Sequence, residues 1–162
     1  MSSESADFFS RAEFPYVLLV HGHTGSGPGH WQSWLAGEVA RIGGVVDVPQ
    51  FTEPDRPDLG VWLGELRHHL EAAPDGGERV VLAHSCGALL WLHHAARLAD
   101  AALRFDRVLL VAPPGPRWHE PDVHGFNPVP RGSGGRRPGP SSWSATTTRP
   151  ARWTRRWTWP PG

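Results

Sequence analysis

An α/β fold, a three-layer sandwich with a parallel sheet between helices, is what this sequence predicts, and three observations carry the expectation. Short β-rich runs alternate with longer helical patterns over residues 14–112, which is how βαβ units read in sequence. A strand pattern at Arg79–Leu82 runs through Ala83-His84-Ser85-Cys86-Gly87 straight into a helical pattern. The length of 162 residues suits one domain with a real core.

Each element has a local reason. Tyr16–Val20 is a compact apolar run after a proline and reads as a buried strand. A glycine-rich loop follows, and then Trp31, Trp34, Leu35, Val39 and Ile42 recur at helical spacing until Gly43-Gly44 stops the helix. Val45–Val48 is the second strand. Asp58 is placed to cap a helix whose apolar stripe is Leu59, Trp62, Leu63, Leu66 and Leu70, and Pro74-Asp75-Gly76-Gly77 ends it. Arg79–Leu82 is the third strand, Ala88 to about Asp100 the third helix and Arg107–Val111 the fourth strand. Beyond Pro113-Pro114 the periodicity fades.

Composition narrows the function classes. Residues 1–13 form an N-terminal extension with charges at Glu4, Asp7, Arg11 and Glu13 and no apolar stretch, so neither a secretory signal nor a membrane span is expected. Cys86 is the single cysteine, which excludes an internal disulfide and any multi-cysteine zinc site. A cytoplasmic protein without metal or other cofactor is the expectation. His68-His69 and His93-His94 are adjacent on helices, so the two rings of each pair diverge by about 100° and do not face one ligand. Trp31, Trp34, Trp62 and Trp91 read as core or rim aromatics.

The chemistry sits at the strand-to-helix junction. A strand, then small-x-Ser-x-Gly, then a helix is the pattern of a nucleophile elbow, in which a sharp turn lifts the serine hydroxyl above the sheet. Ala83 and Gly87 are the small positions, and Ser85 is the expected catalytic nucleophile; the competing reading is a serine that only caps the helix. His21-Gly22 after the first strand suits the second half of an oxyanion hole, which assigns the backbone N–H groups of Cys86 and His23. The competing reading there is a simple glycine turn. Cys86 as a thiol nucleophile is disfavoured, because its side chain leaves the elbow in another direction. His84 reads as a packing or orienting residue.

With these motifs in order, the chain resembles a known family. VLLVHGHTGSGPGHWQSWL together with VVLAHSCGALLWLHHAA is similar to the small serine hydrolases of the α/β-hydrolase superfamily related to retinoblastoma-binding protein nine and bacterial YdeN. The family's His-Trp-x-x-Trp after the HG loop is matched by His30-Trp31-Gln32-Ser33-Trp34. Its elbow commonly reads GHSLG, and Cys86 replaces the leucine. The resemblance covers about residues 14–130 and implies α/β-hydrolase topology, esterase-like hydrolysis of a small ester-like or amide-like substrate without a cofactor, and a Ser-Asp-His triad in that chain order.

The triad's acid and base are missing from the positions the resemblance points to. Asp106, Asp122, His119 and His124 are the candidates after the elbow, and none matches the family's context. Residues 131–162 differ from the rest: all 16 acidic residues precede them, and they carry seven of the arginines. Tryptophan has one codon, so nearby nucleotides can be partly recovered. Read one base earlier, Trp153-Thr154 and Trp157-Thr158 each yield aspartate. With G or C in the free third positions, Ser141 to Pro150 reads as a valine strand followed by an acidic run and proline. The expectation is therefore an α/β-hydrolase domain at 14–130 that is incomplete at its C-terminus. A frameshift near 130–140 would then leave 131–162 as an aberrant, disordered Arg/Pro/Trp-rich tail.

Function follows as serine hydrolysis by lineage, impaired in this chain by loss of the acid and base. The alternative is a non-catalytic binding protein on a hydrolase scaffold. Neither a nucleic-acid nor a membrane partner is expected, although Arg and Trp interleave at Arg152-Trp153-Thr154-Arg155-Arg156-Trp157 as in segments that bind either. Oligomeric state and substrate identity are not legible.

Overall fold

The structure is a computed structural model that describes residues 15–97, 103, 105–118 and 120–129. The N-terminal extension and the segment 131–162 lie outside the described residues, as do His119 and the side chain of His124. Four parallel strands form one sheet in the order β2-β1-β3-β4: β1 Tyr16–Val20, β2 Val45–Asp47, β3 Arg79–His84 and β4 Arg107–Val111. In register, Val17 lies beside Val46 and Val80, and Leu82 beside Leu109. Helices α1 Trp31–Arg41, α2 Leu59–Ala72 and α3 Cys86–Ala96 make the crossovers that a parallel sheet requires.

Central strand β1 is buried along its whole length, as a strand covered on both faces must be. Tyr16, Leu18 and Val20 point into a cluster with Trp62, Leu66 and Leu70 of α2 and Leu89, Leu90 and Trp91 of α3. Val17 and Leu19 alternate to the other face, where α1 packs on β1 and β2. Three layers result. Asp58 caps α2 by accepting from the Val61 N–H at 2.9 Å, as its sequence position predicts.

Two expectations are corrected. The aromatic stripe assigned to α1 does not all face inward: Trp34 is 66% exposed and Ile42 50%, and the fully buried residue of the helix is Gln32. At about 100° per residue, Gln32 falls on the same side as Trp31, Leu35 and Val39, whereas Trp34 falls on the other side of Trp31. Gln32 is tolerated inside because its Nε2 donates to the Val20 carbonyl at 3.0 Å. The second correction lies after β4, where a 3-10 helix, Pro121–Phe126, occupies a stretch read as aperiodic. It buries Val123 and Phe126, three residues apart, and sets Phe126 edge-on to Trp62.

Candidate active site

Strand β3 ends at His84 and α3 begins at Cys86, so a single residue, Ser85, makes the whole turn. Its φ of 53° and ψ of −125° are costly for a side-chain-bearing residue. The turn is held from both sides: the Ser85 N–H donates to the Val111 carbonyl of β4 at 3.0 Å, and the Ala88 N–H donates to the Ser85 carbonyl at 2.9 Å. The Ser85 side chain makes no capping bond to α3.

Strained backbone recurs around this end of the sheet. Thr24, Glu53, Ser85 and Ala112 all have positive φ, and each lies in the segment following a different strand. Such strain tends to collect where loops are shaped for a ligand, and in open α/β sheets ligands bind beyond the carboxyl ends of the strands.

Two glycines let the loops close on the turn at Ser85. A Cβ on Gly22 would sit 2.8 Å from the Ser85 Cβ, 3.1 Å from the His84 carbonyl and 3.4 Å from the Ser85 Oγ. One on Gly87 would collide with the His21 carbonyl. The loop after β1 and the start of α3 therefore touch through backbone. His23 follows in that loop, its Nε2 3.0 Å from the Asp55 carbonyl, and the next N–H, of Thr24, donates to the Pro54 carbonyl at 2.8 Å. The His23 amide favours the Cys86 thiolate, but burial dominates and pushes that thiol up to about 12.

The histidines separate by environment. His21 is fully buried: its Nε2 accepts the Phe51 N–H at 3.0 Å and its Nδ1 lies 2.8 Å from the Gly22 carbonyl. Burial holds its pKa below the ordinary histidine value. His84 is half-buried against His30 and the edge of Trp31, with ring centroids 5.0 and 5.6 Å away, and burial with the nearby His30 lowers its pKa. His30 is itself the N-cap of α1, its Nδ1 accepting the Gln32 N–H at 3.2 Å. His93 meets the Phe126 carbonyl at 3.0 Å, while the neighbouring His94 packs on Trp91. Among the described residues no cluster of three or more His, Cys, Asp or Glu could hold a metal ion.

A partner for the serine is not among the described side chains, where no hydrogen bond joins the Ser85 Oγ to a histidine or carboxylate. Asp106, one of the four candidates, is at the wrong end of the sheet: its carboxylate accepts the Arg79 N–H at 2.8 Å, where β3 starts. Six residues of strand put it about 20 Å from the elbow. Asp122 is exposed in the 3-10 helix.

One constellation escaped the sequence. Asp47 at the end of β2 takes hydrogen bonds from Tyr16 and His69, with Oδ2 at 3.2 Å from the tyrosine hydroxyl and 2.7 Å from the His69 Nδ1. These residues come from three elements, so no local spacing announces them. The buried role of His21 was equally hidden, since the His-Gly pair reads only as a loop opener.

A search of curated proteins finds no match. Among solved structures, the ydeN gene product of B. subtilis is similar at 22% identity and a TM-score of 0.47, over 59% of this chain and 50% of that one. The match thus spans half of that protein's length. Among the described residues no helix is long and apolar enough to cross a membrane. The family model described as serine hydrolase matches residues 17–135, close to three quarters of the chain, and by that match this chain belongs to the serine hydrolase family.

Proposed function

We propose that this chain is built to hydrolyse ester-like, and by the same chemistry amide-like, bonds of small molecules with Ser85 as nucleophile. The observation that carries the reading is the single-residue turn at Ser85, strained, free of any capping bond and approached by the backbone of Gly22. In the reaction the Ser85 Oγ attacks a carbonyl carbon, its proton passes to the base that a restored frame would supply and from there to the leaving group, and the carbonyl oxygen takes the negative charge. The Cys86 and His23 N–H groups, at the start of α3 and in the facing loop, are the donors assigned to that oxyanion. The leaving group departs with a proton, and water then releases the acyl group by the same path.

A serine without a base is a weak nucleophile, and the sequence lacks the triad's acid and base at the positions the family resemblance points to, which supports an impaired enzyme. Turnover then requires restoring the acid and base. Reading the gene one base earlier from codons 130–140 should give a valine strand, an acidic run ending in Asp-Pro and, further on, a Gly-His. Immediate stop codons in that frame would end the frameshift account.

The first test is labelling with a fluorophosphonate, read by mass spectrometry. Modification at Ser85 is expected, slow in this chain for want of a base and faster once the acid and base are restored, lost in Ser85→Ala and retained in Cys86→Ala. Unaltered labelling of Ser85→Ala would overturn the assignment. A protein that never labels but binds small esters would be the scaffold-only binder instead.

A further inference from the structure

We propose that His21 is a positioning residue that aims the His23 amide toward the elbow by gripping the Gly22 carbonyl. The inference rests on the reading of Ser85 as nucleophile and the His23 N–H as an oxyanion donor, and it adds the group that orients that donor.

The geometry determines the state of the His21 ring. The Phe51 backbone N–H can only donate, so the His21 Nε2 that it reaches at 3.0 Å must offer a lone pair. The ring proton therefore sits on Nδ1, and Nδ1–H donates to the Gly22 carbonyl at 2.8 Å. A second donor, the Gly25 N–H, meets the same oxygen at 3.1 Å. The ring has little room to turn: it is fully buried, packed 5.0 Å from Phe51 and set edge-on to Trp62 at 5.1 Å.

Holding that carbonyl fixes more than the carbonyl. The Gly22–His23 peptide is trans, and in a trans peptide the C=O and the following N–H lie in one plane and point in opposite directions. With the Gly22 oxygen pinned toward His21 and Gly25, the His23 N–H is turned the other way. The loop at this point lies against the turn of Ser85, where a Cβ on Gly22 would sit 2.8 Å from the Ser85 Cβ, and the influence of the His23 amide on the neighbouring Cys86 thiol fits that placement. Hydrogen bonds in a chain also polarise one another, so a carbonyl that accepts twice makes the N–H of its own peptide a stronger donor. The His21 carbonyl meanwhile backs onto Gly87, so the same residue touches the elbow helix, the oxyanion loop and, through Phe51, the loop after β2.

Two isosteric replacements separate this role from plain packing. His21→Asn places an amide N–H where Nδ1 was and keeps the bond to the Gly22 carbonyl. His21→Gln reaches the Phe51 N–H and abandons that carbonyl. Both lose the ring, so a merely structural histidine would be damaged similarly by either. With the full chain, fluorophosphonate labelling at Ser85 should stay within about threefold of wild type in His21→Asn and slow at least about tenfold in His21→Gln.

A second measurement does not depend on reactivity, and its first part does not depend on either variant being stable. Nitrogen-15 NMR of the unaltered chain should show His21 protonated on Nδ1 alone. In the variants, the His23 amide resonance should move in His21→Gln and stay in His21→Asn. Equal slowing in both variants, or a ring proton on Nε2, overturns the proposal. Failure of the unaltered chain to label would sink the Ser85 reading alone, and the NMR result would still decide the part played by His21.

Discussion

Gly22 and Gly87 show how far the packing around Ser85 depends on atoms that are missing. At Gly22 the nearest obstacles to a methyl group are the Ser85 Cβ and the His84 carbonyl, neither of which is the far end of a flexible side chain. Gly22→Ala should therefore push the loop after β1 away from the elbow. The expected cost is about 1–3 kcal/mol of stability in urea denaturation, as for other overpacked sites, together with slower phosphonate labelling. Unchanged stability would show that the loop can retreat freely. At this scale the sequence was informative about the sharp turn at Ser85, because a strand-to-helix junction is a contiguous pattern whose steric needs are met by Ala83 and Gly87. It was uninformative about His21, whose two hydrogen bonds reach Gly22 and Phe51 from a place that no spacing rule marks. The base and acid are a different case, since the sequence holds neither at the positions the family resemblance points to.

Among the elements, α2 and α1 make an instructive pair because both carry tryptophans at helical spacing. In α2 the stripe was read correctly: Trp62, Leu66 and Leu70 are buried, and the Trp62 Nε1 donates to the Thr52 carbonyl at 2.8 Å. In α1 the same periodic signal included Trp34, which is 66% exposed. Trp62→Ala should cost about 3–5 kcal/mol and Trp34→Ala less than about 0.5 kcal/mol, both read from urea midpoints. Comparable losses at the two positions would mean that Trp34 is covered in solution. Periodicity tells which residues share a side of a helix; the side that meets the sheet is decided by what the sheet offers, here the Val20 carbonyl that Gln32 satisfies. The 3-10 helix was missed because six residues are too few to show a period, although Val123 and Phe126 already stood one turn apart.

For the whole molecule, three histidines tie stability to pH. His21, His84 and His94 all have pKa values lowered chiefly by burial, with His30 adding to the effect at His84 and Arg67 at His94, while the Gly22 carbonyl and Glu65 oppose it at His21. Each binds a proton more readily in the unfolded chain than in the folded one. Their contribution is thus fully present above about pH 6.5 and is lost as pH falls through the lowered folded values. The urea midpoint should drop between about pH 7.5 and 5.5, and a midpoint that holds or rises would contradict the burial of these rings. What the sequence determined alone was whatever is local: β1 and β4 at their observed bounds, the Asp58 cap, the strand-to-helix junction at Ser85 and the α/β alternation that yields a parallel sheet. Each of these depends on neighbours in the chain, through alternation, capping or steric exclusion. Only the tertiary structure decided which face of α1 is buried, that Asp47 gathers Tyr16 and His69, and that a neutral His21 links two loops and the start of α3. Those outcomes follow from long-range contacts in a close-packed core, where the partner of a polar group is chosen by the packing of the whole fold.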